Sequence, residues 1–288
     1  MRISVVLPAH DEAEGILDCL GRLTAQDGPI AEIIVVDNNS TDATADLVAG
    51  AAARDPRIVL VSESRPGVAF ARYAGFRAAT GDVIASIDSD TLVEPGWAAA
   101  IDSALTAHPE IVAGTCPMLM FDLPFQSVFA RRHRRVEARA RRRLQHGQIT
   151  PAVALSGANS VIRRGAWEEI ADQVSYRGDV FEDLDRSLLL QEAGHHLAVV
   201  PGMVATVSGR RLLSGPRSMF RYAACGPRTY AAHGRRGMVV AAWAVNLVIL
   251  ARSTLLLPAN RAWDPDRGRF SLRRLLRGEW DVRHSPIG

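Results

Sequence analysis

The chain has 288 residues, of which 48% are apolar and 23% are charged, a composition that excludes a low-complexity chain and allows a large buried core. Its three widely spaced cysteines argue against a disulfide framework or a zinc knuckle and indicate a reducing compartment. The net charge of +3 is unevenly distributed, because residues 1–120 carry 17 acidic and 7 basic side chains, whereas residues 121–288 carry 14 and 27. An acidic front half and a basic back half indicate separate tasks.

The front half predicts alternating strands and helices, which is typical of a mostly parallel sheet covered by helices on both faces. The predicted strands, which are rich in β-branched residues, are Ile3–Pro8, Glu32–Asp37, Ile58–Ser62 and Val83–Asp88. The predicted helices are Glu12–Gln26, Thr41–Arg54 and Val68–Ala79. The chain enters the first strand without a secretory leader, so we expect a cytoplasmic protein.

Polar residues follow three of these strands at the point where each strand ends. In parallel sheets, ligands bind beyond the carboxyl ends of the strands, and these ends lie along one edge. The three polar clusters therefore predict a single site at that edge. They are Pro8-Ala9-His10, Asp37-Asn38-Asn39 and Asp88-Ser89-Asp90.

The pair Asp88 and Asp90 directly follows a buried strand, and alternate residues of an extended chain point to the same side. Two carboxylates that converge in this way are hard oxygen ligands, suited to Mg²⁺ or Mn²⁺ ions that also bind substrate phosphates. A solvated loop is the alternative, because this spacing alone is a weak signal. The neighbouring polar strand ends favour the metal site.

Asp37 closes its strand, as acids do in nucleotide-binding folds where they accept hydrogen bonds from a base or ribose. A turn aspartate before the next helix is the alternative. Arg72 offers a bidentate fork to a phosphate or base, or is a solvated surface charge. Neither G-x-G-x-x-G nor G-x-x-x-x-G-K-[ST] occurs, which disfavours a dinucleotide oxidoreductase and a P-loop nucleotidase.

The back half is less regular. Residues 131–143 include eight arginines on a weakly amphipathic helix, and Ser156–Trp167 is typical of a strand and a turn. Residues 181–196 predict a helix with Glu182 and Asp183 in its first turn, followed by a strand. These two acids either complement the helix dipole or, crowded by further carboxylates, provide a general base.

Five segments resemble, in this order and over about residues 3–200, the family 2 glycosyltransferases with their GT-A fold. They are VVLPAHDEAEGI, IIVVDNNSTDAT, GVAFARYAGFRAATGDVIASIDSDT, SGANSVIRR and FEDLDRSLLLQEAG. The resemblance implies an α/β protein with a mostly parallel central sheet flanked by helices. It also implies a glycosyltransferase domain over 1–210, with a nucleotide-sugar half (1–115) and an acceptor half (116–210), and a helical C-terminal extension over 211–288.

The resemblance further implies an inverting enzyme, of the hexosyltransferase class, for glycan or cell-envelope biosynthesis. It would move a sugar from a nucleotide-diphospho-sugar to an acceptor hydroxyl or lipid phosphate in one displacement. Asp183 would be the base, supported by Glu182, and Asp90 with Asp88 would hold a divalent cation, Mg²⁺ or Mn²⁺. The donor would be held by Pro8, Ala9, His10, Glu12, Asp37, Asn39, Arg72, Asp88 and Ser89, and the acceptor side would include Gly157, Ala158 and Asn159.

One position departs from the family pattern. Many members have a histidine after the strand that follows the base helix, where it helps to hold the metal or the diphosphate. This chain has Ser208 and Gly209 there, and Arg210 or Arg211 is the candidate to hold the diphosphate instead.

Two other functions stay open on the sequence. A sugar-phosphate nucleotidyltransferase has a similar sheet, but the segment LPAHDEAEG lacks the Gly-rich, basic loop expected after its first strand. A non-catalytic nucleotide-sugar-binding subunit is the other alternative, and the two intact acidic pairs argue against it.

The sequence does not specify the acceptor. The Arg-rich helix and the apolar run Gly237–Pro258 are consistent with peripheral contact on the inner face of a membrane. Asn246 and Arg252 would be costly in a membrane span. The alternative is a solvated Arg face with the apolar run as a core or dimer helix. Nucleic acid is not expected as a partner, because no aromatic residues alternate with the arginines.

Overall fold

The structure, a computed structural model, describes residues 1–278 and 280, and it divides into two compact units. The first unit consists of residues 1–118, 132–176 and 182–207. Of the described residues, the second contains 119–131, 177–181, 208–278 and 280. The boundary after residue 207 is close to the predicted one after 210, but two earlier segments also belong to the second unit. Residues 279 and 281–288 of the predicted extension lie outside the described residues.

The helices and strands of the described residues are numbered in chain order. The strands are β1 Ile3–Ala9, β2 Ile30–Asp37, β3 Ile58–Ser62, β4 Val83–Ile87, β5 Leu92–Val93, β6 Ala113–Thr115, β7 Leu119–Met120, β8 Asn159–Arg163, β9 Leu197–Val199, β10 Ala205–Val207, β11 Trp263–Asp264 and β12 Arg269–Phe270. The helices are α1 Ile16–Thr24, α2 Thr44–Ala52, α3 Val68–Ala78, α4 Trp97–Ala107, α5 Gln126–Gln145, α6 Arg164–Ile170, α7 Glu182–Glu192, α8 Pro216–Ala232, α9 Arg236–Ala262 and α10 Leu272–Arg277.

Seven of the described strands form the central sheet of the first unit, in the order β3-β2-β1-β4-β8-β6-β9. Strand β1 is parallel to β2 and β4, β2 is parallel to β3, and β6 is parallel to β9. Strand β8 runs antiparallel to both β4 and β6. The predicted α/β fold with a mostly parallel sheet is therefore confirmed.

Both faces of the sheet are buried, and its central strands β1 and β4 are mostly apolar. Val5 and Leu7 of β1 belong to the core beneath α1 and α4, whereas Val6 belongs to the core beneath α3. Helix α3 approaches the sheet closely at Gly75, where an added Cβ would lie 2.4 Å from a methyl group of Val6. This alternation fixes which face of the sheet each side chain covers.

Several element boundaries differ from the prediction, among them that of α2, which begins at Thr44 rather than at Thr41. Two of the differences are explained by contacts of the chain. Helix α1 begins at Ile16 rather than at Glu12. Glu12 lies in the preceding turn, because its N–H donates to the Thr44 hydroxyl at 2.8 Å. Residues 164–170 form helix α6 where a turn was predicted. Ala166, Trp167 and Ile170 are buried at helical spacing, and this packing stabilises the helix.

The second unit contains a helical hairpin in which α8 and α9 are joined by a short turn. Asn246 of α9 donates through Nδ2 to the Ala223 oxygen of α8 at 2.7 Å. Helix α9 is long and apolar enough to cross a membrane, with a mean hydropathy of 1.8 over an 18-residue window of which 0% is buried. The interpretation of this run as a core helix is therefore wrong.

Candidate active site

The candidate site lies at the carboxyl ends of β1, β2 and β4 in the first unit. Ala9 at the end of β1 is in register with Asp37 at the end of β2. Beyond them, the His10 ring nitrogen Nδ1 lies 2.8 Å from the Asn38 oxygen. Pro8 is accommodated inside β1 because the pairing of β1 with β4 ends at Val6. The first two polar clusters therefore meet at one edge, as predicted.

Three acidic side chains converge around buried Cys19 on α1. Its Sγ lies 3.9 Å from the main-chain oxygen of Asp88. Burial raises the pKa of the Cys19 thiol, and the negative charges of Asp90, Asp88 and Glu12 raise it further. The third polar cluster thus lies beside Glu12 of the β1–α1 loop, so residues predicted to hold the donor and the metal come together.

Arg72 connects the carboxylate after β4 with the acids of α7. Its Nη2 donates to Asp88 Oδ1 at 2.7 Å, and its Nε donates to Glu182 Oε1 at 3.0 Å. Its Nη1 donates to the Ser86 hydroxyl at 2.5 Å and to the Gly157 oxygen at 2.9 Å. The side chain is only 2% exposed, so it is an internal cross-link rather than a surface charge.

Negative charges outnumber positive ones around Arg72, because one guanidinium lies close to the carboxylates of Asp88, Glu182 and Asp183. Burial would lower the pKa of Arg72, but Asp88 and Glu182 raise it above its ordinary value. Burial raises the pKa of Glu182, against the effect of Arg72, and the neighbouring Asp183 charge adds to the increase. Arg72 therefore stays charged, while Glu182 binds a proton more readily than an exposed glutamate does.

Asp183, the predicted base, lies against the predicted acceptor-side segment. The Gly157 N–H donates to Asp183 Oδ2 at 2.9 Å. An added Cβ at Gly157 would lie 3.0 Å from both Arg72 Nη2 and Glu182 Oε1, so only glycine fits there without displacing a neighbour. The main chain at Gly157 thus joins the base helix to the cross-link.

The other two acceptor-side residues differ in their surroundings. Asn159 is 0% exposed, and its Oδ1 accepts a hydrogen bond from Trp97 Nε1 at 3.0 Å. Its Nδ2 donates to the Met203 oxygen at 2.8 Å. Ala158 is half-buried, and its oxygen accepts a bond from the Thr91 hydroxyl at 3.3 Å. A direct contact with an acceptor is therefore open to Ala158, whereas Gly157 is buried and the Asn159 side chain holds the core together.

Two buried polar atoms at the site lack a hydrogen-bond partner among the described residues. They are Asp37 Oδ1 and Ser89 Oγ. A buried polar atom without a partner is costly, and a ligand that supplies one removes that cost. Asn39 is exposed beside them, has a left-handed φ of 60°, and donates through Nδ2 to the Ser64 oxygen at 3.0 Å.

Asn38, which lies in the predicted polar cluster after β2 but is not among the predicted donor-binding residues, organises the loop after β3. Its Nδ2 donates to the Glu63 oxygen at 2.7 Å and to the Arg65 oxygen at 2.8 Å. Its Oδ1 accepts a bond from the Gly67 N–H at 2.8 Å. Its place in the polar cluster after β2 pointed to a role at the site. Three consecutive polar residues do not reveal, however, which side chain faces inward.

Arg186, one turn after Glu182 on α7, was also missed. It is fully buried, its Nη2 donates to the Ser160 hydroxyl at 3.1 Å, and its guanidinium lies 5.0 Å from the centre of the Phe76 ring. Burial lowers the pKa of Arg186. A cation within an otherwise apolar helix face was the available signal.

The residues present fit a divalent cation whose remaining ligands come from a bound substrate. Within the described residues, no group of three or more His, Cys, Asp or Glu side chains is arranged to hold a metal ion by itself. Asp88 and Asp90 supply carboxylate oxygens, and Mg²⁺ commonly uses one or two such ligands together with phosphates and water. This donor set suits a cation bound together with a diphosphate.

The residues that replace the family histidine belong to the second unit. The Ser208 hydroxyl donates to Asp122 Oδ2 at 2.5 Å, and the Gly209 N–H donates to Asp122 Oδ1 at 2.6 Å. The Arg211 guanidinium lies 4.0 Å from the centre of the Tyr222 ring. The role of Arg210 or Arg211 toward a diphosphate stays a prediction.

The sheet and its polar carboxyl edge define an α/β protein with a GT-A-like fold. Residues 4–171 match the model of Glycosyl transferase family 2, so the chain belongs to that family.

Curated relatives match part of the chain. The succinoglycan biosynthesis protein ExoO of Rhizobium meliloti is 42% identical over 94 residues, which are 32% of this chain and 26% of that protein. An N-acetylglucosaminyltransferase of Azorhizobium caulinodans is 27% identical over 217 residues, which are 71% of this chain and 54% of that protein. The chain thus spans less than two thirds of the length of these relatives.

A solved structure extends the likeness over nearly the whole chain. The mannosyltransferase PcManGT of Pyrobaculum calidifontis, in complex with GDP-Man and Mn²⁺, has a TM-score of 0.62 at 20% identity and covers 96% of this chain and 79% of its own. GalNAc-T7, with UDP, GalNAc and Mn²⁺, has a TM-score of 0.56 at 16% identity and covers 72% of this chain and 44% of its own. At these identities the likeness shows the shared fold.

Proposed function

We propose that this chain transfers a hexosyl group from a nucleotide-diphospho-sugar to an acceptor hydroxyl or lipid phosphate, with inversion and with the help of a divalent cation. The observation that carries the proposal is the cross-link through Arg72, which places the acidic pair Asp88/Asp90 beside the acidic pair Glu182/Asp183. One pair suits a metal–diphosphate end and the other suits a base, so a sugar between them has a leaving group on one side and a nucleophile on the other.

The nucleoside of the donor is bound at the ends of β1 and β2. The buried Asp37 Oδ1 without a partner accepts a hydrogen bond from the base or ribose, and Glu12, His10 and Asn39 line the same edge. Pro8 and Ala9 shape the floor of the site through their buried main chain. GDP-Man in the mannosyltransferase and UDP in GalNAc-T7 support a donor of this class without naming its base or sugar.

Arg72 contributes to donor binding through its neighbours. Since four of its N–H groups donate to protein oxygens, its predicted contact with the nucleotide becomes an indirect one that orients Asp88. Asp88 and Asp90 would hold the cation, with Ser89 between them in the sequence. When bound, Mg²⁺ or Mn²⁺ neutralises the charge that develops on the leaving diphosphate.

Asp183 is the base in this proposal. The acceptor oxygen forms a bond to the anomeric carbon while the bond from that carbon to the diphosphate oxygen breaks, and the proton of the acceptor moves to the Asp183 carboxylate. The Gly157 N–H orients that carboxylate through Oδ2. Glu182 keeps Arg72 in place beside it.

Donor binding tests the first half of the proposal. Titration calorimetry with UDP-, GDP- and dTDP-sugars, with and without Mn²⁺, is carried out on the wild type and on Asp90→Ala. We expect one donor to bind in a metal-dependent way and Asp90→Ala to lose that dependence. Glu94→Ala, a change to another acid in the following loop, is the matched control and keeps it. Binding of every donor without metal would contradict a cation site at Asp90.

Release of the nucleoside diphosphate, with water as the acceptor, tests the second half. We expect Asp183→Asn to bind the donor like the wild type but to release its nucleotide about 10²–10⁴-fold more slowly, since a general base contributes that much. A wild type that binds the donor and never turns it over with any lipid or sugar acceptor would favour the non-catalytic binding subunit.

A further inference from the structure

Helix α9 exposes a continuous apolar surface in the second unit. Six of its large apolar side chains, which lie between residues 240 and 255, are 44–79% exposed. They are Val240, Val245, Leu247, Val248, Ile249 and Leu255. Because residues at spacings of seven and eight share a helix face, Val248 and Leu255 continue the face that begins at Val240. An exposed apolar area of this length on a single element marks an interaction site.

A groove of about 1190 Å³ lies between α8 and α9 beside this surface. Its apolar lining includes Phe220 of α8 and Leu250 of α9. Arg217 and Arg221, one turn apart on α8, line the same groove. The hairpin thus presents two arginines at the margin of an apolar surface.

The charge of the hairpin is of one sign. Residues 208–262 contain nine arginines and neither an aspartate nor a glutamate. Short helix α10 continues the pattern, because Leu272 and Leu276 are 76% and 85% exposed and it also carries three arginines. An apolar face bordered by cations is complementary to a layer of anionic headgroups over acyl chains.

We propose that the surface formed by α8 and α9 docks on an anionic lipid bilayer, with α9 lying in the plane of the interface. The exposed face of α9 enters the outer part of the acyl region, and Arg217 and Arg221 contact lipid phosphates. This inference does not depend on the glycosyltransferase proposal, since it rests on a different unit and on different residues.

The contacts of α9 with the rest of the second unit favour an in-plane position over a transmembrane one. Asn246 is bonded to Ala223, and Arg261 donates through Nη2 to the Leu213 oxygen at 2.9 Å, so α8 and the preceding turn follow α9 along its length. If α9 crossed the bilayer in this arrangement, Arg217 and Arg221 would enter the hydrocarbon with it, where charged side chains are costly.

The same charges disfavour a second copy of the chain as the occupant. A symmetric dimer through α9 would bring the two sets of arginines against each other, and like charges across an interface oppose association. Lipid phosphates instead compensate them.

Flotation with vesicles tests the proposal. The full chain is synthesised cell-free in the presence of phosphatidylcholine vesicles, with or without phosphatidylglycerol, at low and high salt. We expect at least about tenfold more binding to the anionic vesicles at low salt, and a loss of about tenfold or more in Arg217→Gln/Arg221→Gln, because each arginine near the headgroups strengthens binding severalfold. Leu247→Ser/Leu255→Ser should also float poorly.

The matched control is Leu17→Ser/Val59→Ser, which changes two apolar residues of the first unit that are 41% and 40% exposed. It should float like the wild type. Circular dichroism and donor calorimetry on every variant separate a lost surface from a lost fold, and a chain that floats but binds no donor would contradict only the proposed function.

Three results would overturn the docking proposal. The first is equal flotation on neutral and anionic vesicles, or flotation that neither double variant reduces. The second is resistance to carbonate extraction with the C-terminus protected from protease, which would show that α9 crosses the bilayer. The third is a dimer in solution that Leu247→Ser/Leu255→Ser converts to a monomer, which would assign the surface to a second copy.

Discussion

Arg72 and Glu182 are 110 residues apart in the sequence, yet Arg72 Nε donates to Glu182 Oε1 at 3.0 Å in an ion pair that is buried on both sides. The same guanidinium holds Asp88 at 2.7 Å. The pair therefore joins the end of β4 to the beginning of α7, and with them the two acidic groups of the site. A change at either residue should affect the fold and the chemistry together.

Removing the guanidinium should be strongly destabilising. Arg72→Gln leaves buried carboxylate groups without their cation, and breaking a buried ion pair in this way costs about 3–5 kcal/mol. Urea unfolding of the two proteins measures the difference. Arg77→Gln, on the same helix but exposed and 5.7 Å from the Tyr176 ring, is the control and should cost about 1 kcal/mol or less. Equal losses in both variants would contradict the role of the cross-link.

Gly157→Ala adds only a methyl group, but we expect it to lower both the stability and the activity of the protein. The new methyl group would lie 3.0 Å from Arg72 Nη2 and from Glu182 Oε1, so one of them must shift. We expect a loss of about 1–3 kcal/mol in unfolding free energy, as for other overpacked positions, together with slower nucleotide release. Gly165→Ala has nothing within 4 Å of its added carbon and lies on helix α6, so it should keep full nucleotide release and lose no stability. A stable Gly157→Ala enzyme of full activity would show that the segment is loosely held.

The raised pKa of Glu182 makes a prediction about pH. The folded protein binds this proton more tightly than the unfolded chain, so the unfolding free energy falls as pH rises from the ordinary pKa of 4.5 through the raised folded pKa. Glu182→Gln does not titrate and should lack this fall. We expect the wild type to lose stability relative to Glu182→Gln as pH rises in urea titrations at successive pH values. Glu14→Gln, a change to an exposed glutamate, is the control and should follow the pH dependence of the wild type. If the unfolding free energy of the wild type does not fall relative to that of Glu182→Gln as pH rises, the assignment is refuted.

Glu63 predicts the opposite slope on the acid side. Its hydrogen bonds with the side chain and N–H of Arg65 lower the pKa of Glu63 from 4.5 to about 2. The stabilisation is therefore present above pH 4.5 and is lost as pH falls toward about 2. Glu63→Gln should lose less stability than the wild type over this interval in acid unfolding followed by circular dichroism. Parallel curves would mean that the contact with Arg65 does not persist in solution.

The strands and the polar edge were predictable because they depend on local pattern. Runs such as Ile3–Pro8 and Val83–Asp88 are apolar on both faces, which is typical of strands in a sheet covered on both sides. Once they are parallel, their carboxyl ends share an edge, so Asp37, Asp88 and Asp90 were expected along that edge. The acids at the start of α7 were also evident, since helix N-termini favour them.

The tertiary structure alone decided what each of these side chains does. Sequence left Arg72 undecided between a ligand contact and a surface charge, and contacts 16 and 110 residues away make it a buried cross-link. Asn159 lay in the predicted acceptor segment, but its side chain bonds Trp97, 62 residues before it. Helix α9 had the composition of a core, a partner or a membrane helix. In the structure it packs beside α8, and its apolar window stays unburied. Local periodicity specifies which residues form an element and which face is apolar. Whether another part of the chain covers that face depends on distant segments, because burial and pairing are properties of the whole packed chain.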